Sequence, residues 1–169
     1  MSFRAPVPKI NSKTGRLYSE PDPTWPTVCA IVGAPCAGKS TLVGNLAQPG
    51  DLVVEFDRLN MALSPVGDHE HHDPLKTYTY AAHNAVLRRL RYPSDLRAAF
   101  LTALAPTNTQ RARYLVGPSA SLIVLAVDWD VAHARAEAAN RPASWHELID
   151  EYFADYEHPN DDRIEVRKV

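Results

Sequence analysis

The sequence predicts an α/β protein in three layers, a mostly parallel sheet of about five strands sandwiched between helices. Three observations carry that expectation. Five short strand-like runs, at residues 28–32, 52–56, 98–104, 121–127 and 163–169, alternate with helical patterns along the chain. The first of them, Val28 to Val32, is continuously apolar, as a strand covered on both faces must be. It runs directly into a glycine-rich loop that opens a helix. Such alternation builds βαβ units with right-handed crossovers, and the carboxyl edge of the resulting sheet is where ligands bind.

Composition narrows the class. The 169 residues are 45% hydrophobic and 22% charged with a formal net charge of −2, values of an ordinary globular protein without a polyanion-binding surplus. The two cysteines, Cys29 and Cys36, do not make a disulfide framework and suit a reducing compartment. No apolar run reaches the length of a membrane span, and the first residues show no leader-like apolar core, so a cytoplasmic protein is expected. Residues 1–26, with five of the fourteen prolines, read as an extended arm. Residues 27–169 read as one domain, in a monomer or a small homo-oligomer.

The loop reads G-A-P-C-A-G-K-S-T, from Gly33 through Ala34, Pro35, Cys36, Ala37, Gly38, Lys39 and Ser40 to Thr41. Two glycines with four residues between them, followed by Lys-Ser, is the phosphate-binding loop pattern. Its backbone N–H groups cradle a phosphate chain at a helix N-terminus, Lys39 is expected to reach the β- and γ-phosphates, and the Ser40 hydroxyl to ligate Mg²⁺. ATP and Mg²⁺ are the implied ligands. Cys36 fits a small filler better than a nucleophile.

The helix after the loop is expected from Ser40 to Ala47, ended by Pro49-Gly50. Leu52 to Phe56 is the second strand, followed at once by Asp57-Arg58 and a helical turn from Leu59 to Leu63. An aspartate there stands on the ligand edge of a parallel sheet, where it can accept a proton from an attacking hydroxyl or order the water shell of a metal. Residues 67–74 are polar and histidine-rich. His72 in that loop is a candidate contact to an acceptor, beside a solvated-loop reading and a metal reading with His69 and His71. Leu75 to Leu90 has apolar residues three and four apart, the signature of a long amphipathic helix. The third strand, Ala98 to Leu104, leads into a helix bearing Arg111, which fits an acceptor contact and a surface position equally. No acidic residue closes that strand, which leaves Ser40, the nucleotide and Asp57 to hold a metal. The fourth strand, Ser121 to Val127, precedes a helix from Val131 to about Ala139. A break follows at Asn140-Arg141-Pro142, then a helix from Ser144 with a capping box to Glu147.

These residues together resemble the small P-loop kinases, above all the kinase domain of polynucleotide kinases and the compact P-loop kinases of bacteriophages. The resemblance spans residues 27–157 and is carried by the loop, by Asp57, and by the strand, helix and arginine-bearing break from Ala126 to Trp145. It implies a kinase-like fold with a short lid. It also implies Asp57 as general base, and Arg135 and Arg141 as lid arginines that clamp the triphosphate beside Lys39. The polynucleotide kinase pattern has an arginine three residues beyond the aspartate; here Asn60 stands there and the arginine is Arg58. The expected activity is transfer of the ATP γ-phosphate to a hydroxyl of a nucleoside, a nucleotide or a nucleic acid, either a polynucleotide end or a hydroxymethylated base in DNA. The competing expectation is a nucleotide-binding ATPase or switch that works through a protein partner. The chain lacks the Asn-Lys-x-Asp guanine signature of one such class.

Overall fold

A computed structural model describes residues 9–10, 17–18, 25–64 and 73–169. Strands β1 (Lys9–Ile10) and β2 (Leu17–Tyr18) pair antiparallel as a two-stranded sheet of their own. The main sheet contains β3 (Thr27–Gly33), β4 (Leu52–Val54), β5 (Ala98–Ala103), β6 (Ala120–Ala126) and β7 (Ile164–Lys168) in the order β4-β5-β3-β6-β7, every pair parallel. The mostly parallel five-strand sheet expected from the sequence is therefore present.

The helices are α1 (Lys39–Leu46), α2 (Phe56–Leu63), α3 (Asp73–Arg89), α4 (Asn108–Ala112), α5 (Trp129–Ala138) and α6 (Ala143–Ala154). Alternation along the strands sorts the core into two layers. On one face Val28, Ala30, Val32, Leu101 and Leu122 pack with Leu87 and Leu90 of α3 and its end. On the other Ile31, Phe100, Ile123 and Leu125 pack with Val43 of α1, Ala132 and Ala136 of α5, and Ile149 and Tyr152 of α6. The small residues Ala132 and Ala136, both fully buried, let α5 approach the sheet closely.

Three boundary differences matter for the site. Strand β4 ends at Val54, and α2 begins at Phe56 rather than Leu59, so Asp57 lies in the first turn of a helix instead of on a strand end. Helix α6 begins at Ala143 with Pro142 as its cap, so the box expected from Ser144 to Glu147 does not form. Proline at that position holds its extended conformation and accepts from the Trp145 N–H at 2.9 Å, which starts the helix without a side-chain cap. The box that does form is at α4, where the Thr107 hydroxyl accepts from the Gln110 N–H and the Gln110 side chain accepts from the Thr107 N–H. Among the described residues no helix is long and apolar enough to cross a membrane.

Candidate functional site

The phosphate loop sits between the end of β3 and the start of α1, at the carboxyl edge of the central strand. Its shape follows from two glycines. A Cβ on Gly33 would lie 2.7 Å from the Leu125 carbonyl oxygen of the neighbouring strand, so only glycine lets the loop leave the sheet there. Gly38 caps α1 at φ 89°, a left-handed conformation that an L side chain resists. Cys36 holds φ 59° without being glycine, a strained position inside the loop. Ala34, Pro35 and Ala37 are buried, whereas Gly38, Ser40 and Thr41 are exposed at the helix start.

Lys39 turns back over this loop, and its ammonium donates to the Gly33 and Ala34 carbonyls at 3.0 and 2.7 Å. Burial pushes that ammonium down to about 8, although Cys36, Asp57 and Glu55 pull it back up. Two more cations come from the α5–α6 hairpin. Arg135 reaches the Cys36 carbonyl with Nη1 at 3.4 Å, and Arg141 stacks on Trp145 with its guanidinium carbon 4.6 Å from the ring centre. The Nε of Arg141 is buried without a hydrogen-bond partner. Partial burial raises the Cys36 thiol above its ordinary range, while Arg141, Lys39 and Arg135 draw it the other way, which places all three cations around one turn of the loop.

Facing the lysine is an acidic pair. Glu55 is 7% exposed and caps α2 just past the end of β4, and Asp57, half-buried, follows in the first turn of α2. Glu55 Oε2 accepts from Arg58 Nε at 2.5 Å, but Oε1 has no hydrogen-bond partner. A buried carboxylate oxygen left unpaired is costly unless a further ligand uses it. Sequence reading passed over Glu55 because it was counted as a strand residue. Its signal was present: two carboxylates spaced two apart at the ligand edge.

Several predicted residues fall elsewhere. Arg111 is fully buried, and its guanidinium donates to the carbonyls of Pro106 and Glu157 and to Asn108 Oδ1 while lying over the Tyr156 ring. Arg111 therefore does not take the surface position that was one of its two readings, and its donors are engaged inside the body rather than turned to an acceptor. The charge is spent inside the body, tying the loop after β5 to the end of α6. Arg58 is largely exposed and engaged with Glu55. Asn60 is buried and donates to Thr79 Oγ1 at 3.1 Å, which in turn donates to the Leu75 carbonyl. The position where polynucleotide kinases carry an arginine here joins α2 to α3. His69, His71 and His72 lie outside the described residues, and among the described residues no group of acidic, histidine or cysteine side chains is arranged to hold a metal by itself.

No family model and no curated protein sequence matches the chain. Solved structures do. A gluconokinase from Sinorhizobium meliloti superposes with a TM-score of 0.57 at 18% identity, over 86% of this chain and 84% of that one. A sugar kinase from Janibacter sp. superposes at 0.55 and 17% identity, over 85% of each chain. The Pnkp1/Rnl/Hen1 RNA repair complex superposes at 0.58 and 14% identity, over 82% of this chain and 46% of that one. The chain shares the α/β fold of these structures. Within that fold the glycine loop, the carboxylates after β4 and the arginine hairpin after β6 occupy one edge of the sheet.

Proposed function

We propose that the protein is an ATP-dependent phosphotransferase that moves the γ-phosphate to a hydroxyl of a nucleoside, nucleotide or nucleic acid. The observation that carries this reading is the convergence of Lys39, Arg135 and Arg141 on the phosphate loop, opposite the carboxylates of Glu55 and Asp57. Cations on one side and a base on the other is the division of labour that phosphoryl transfer requires.

The loop N–H groups and the start of α1 hold the triphosphate. Lys39 exchanges its two carbonyl partners for phosphate oxygens, and the planar forks of Arg135 and Arg141 grip the oxygens on which charge develops. Asp57 takes the proton of the acceptor hydroxyl as its oxygen bonds to the γ-phosphorus and the bond to the β–γ bridging oxygen of ATP breaks, releasing ADP. The donor set suits Mg²⁺: an exposed Ser40 hydroxyl and the unpaired Oε1 of Glu55, with Asp57 beside them, are hard oxygen ligands. When bound, the ion neutralises charge on the β- and γ-phosphates.

A ring-bearing acceptor is supported by the residue next to Asp57. The Phe56 ring lies 4.7 Å from that of Tyr80, which is 57% exposed and offers an aromatic surface beside the base. ADP release measured with and without candidate acceptors tests the reading. Release stimulated by a nucleoside, nucleotide or oligonucleotide supports it, and hydrolysis indifferent to every acceptor assigns the protein to the ATPase or switch class instead.

A further inference from the structure

Away from the phosphate loop, the hairpin that carries the arginines is joined by a column of rings. The Trp129 and His133 rings lie tilted at 49° with centroids 4.2 Å apart, and the His133 and His146 rings meet with centroids 4.8 Å apart and planes 22° apart. The Nδ1 atoms of His133 and His146 are 2.6 Å apart. Asp150, on α6 one turn beyond His146, accepts from Trp129 Nε1 at 2.8 Å and lies 3.0 Å from His133 Nε2. Those two hydrogen bonds, Trp129 first, hold its carboxyl below the usual carboxylate range.

The hydrogen positions follow from this set. An ionised carboxylate only accepts, so His133 Nε2 carries a hydrogen and neutral His133 presents a bare Nδ1. His146 Nδ1 must then donate across the 2.6 Å gap. One further proton can be accommodated on His146 Nε2, because the shared contact still contains a single hydrogen. A second cannot, since two N–H groups would then face each other. Of the other ionisable groups of the two helices, Asp130, Arg135 and Glu137 on α5 and Glu147 and Glu151 on α6 are exposed, and Tyr152 on α6 is buried with its hydroxyl pushed up to about 12.

We propose that His133, His146 and Asp150 form a clasp whose single shared hydrogen sets the α5–α6 hairpin, making them positioning residues for Arg135 and Arg141. Two residues along a helix are about 200° apart, so His133 and Arg135 lie on opposite sides of α5. A rotation of α5 that opens the clasp swings Arg135 away from the Cys36 carbonyl. The break at Asn140 to Pro142, which carries Arg141, connects the two clasped helices and follows the same movement. Full protonation of both rings releases the hairpin, which lowers catalysis and triphosphate affinity together.

The proposal rests on the phosphotransfer reading for its kinetic readout, and the fluorescence of Trp129 supplies one that does not. A protonated imidazole in contact with indole quenches it, so the state of the clasp is read optically; Trp129→Phe identifies that signal against Trp25 and Trp145. Turnover, ATP affinity and fluorescence are measured against pH in the wild type, His146→Leu and His146→Gln. The leucine variant, with no donor, is expected to lose about tenfold to a hundredfold in kcat at every pH, with acceptor KM little changed. Glutamine donates to a bare Nδ1 and accepts from a protonated one, so it is expected to keep kcat at neutral pH and to lose the part of any acidic fall that tracks the fluorescence change in the wild type. An unchanged kcat and ATP affinity in His146→Leu, or an acidic loss of ATP affinity in His146→Gln as large as in the wild type, overturns the clasp, since protonation of the base Asp57 also lowers kcat in both. If the wild type transfers no phosphate to any acceptor, the phosphotransfer reading fails while ATP affinity still decides the clasp. It then stands if affinity follows the fluorescence transition and falls if it does not.

Discussion

Nucleotide binding should draw a proton onto Lys39. Burial lowers its ammonium from 10.5 to about 8, a bias of about 3 kcal/mol against the charged form. At pH 8 the site is therefore about half protonated. A bound triphosphate replaces two carbonyl dipoles with full negative charges and drives the lysine almost wholly into its charged form, so binding takes up about half a proton per site. Calorimetric titration with ATP in excess Mg²⁺, in buffers of different ionisation enthalpy, reads that number from the dependence of apparent enthalpy on buffer. The uptake should shrink towards zero near about pH 6.5, where the lysine is already charged, and ATP affinity should fall as pH rises above 8. The same lowering has a sign in folding: the unfolded chain binds the extra proton between pH 8 and 10.5, so Lys39 contributes a rise in stability through that window. The Lys39→Met variant should lose that rise. Equal proton uptake at both pH values would refute the reasoning.

Three substitutions test other parts of the account. Arg111→Met should cost about 2 to 4 kcal/mol by leaving buried carbonyls unpaired, read as a drop in thermal or denaturant midpoint, with acceptor KM unaltered; a raised KM with intact stability would restore Arg111 to the acceptor site. Cys36→Gly should relieve the left-handed strain at φ 59° and leave stability unchanged or raised by up to about 1 kcal/mol with ATP binding intact, whereas a marked loss of stability would show that the side chain is needed. Glu55→Gln should weaken the Mg²⁺ dependence of turnover by about tenfold or more, checked by metal titration; an unaltered metal requirement would leave the orphaned oxygen without a ligand role.

What the sequence made legible was whatever depends on short-range pattern. The buried strands announced themselves as apolar runs, and the loop by its glycine spacing, because both are constraints within one segment. Residues whose role is set by distant partners stayed hidden. Arg111 fitted an acceptor contact and a surface position equally, and neither reading could foresee that the Glu157 carbonyl, 46 positions away, and the Tyr156 ring enclose it. Glu55 looked like the tail of a strand because β4 stops at Val54, two residues before the end of the run from Leu52 to Phe56. Ser144 and Glu147 matched a capping box that the preceding Pro142 makes unnecessary by starting the helix one residue sooner. The His133–His146 clasp has no signature at all, since its two histidines are 13 positions apart and meet only because α5 and α6 pack as a hairpin.

The central claim is that Asp57 and the loop cations move phosphate from ATP to an acceptor hydroxyl. Its most direct test is transfer of labelled γ-phosphate to nucleosides, nucleotides, oligonucleotide ends and DNA with hydroxymethylated bases, in the wild type and in Asp57→Asn. The account predicts a labelled, acceptor-dependent product in the wild type, and in Asp57→Asn a loss of about two to four orders of magnitude in turnover with ATP binding retained. Label released only as inorganic phosphate, or transfer that survives Asp57→Asn at near-normal rate, would contradict it.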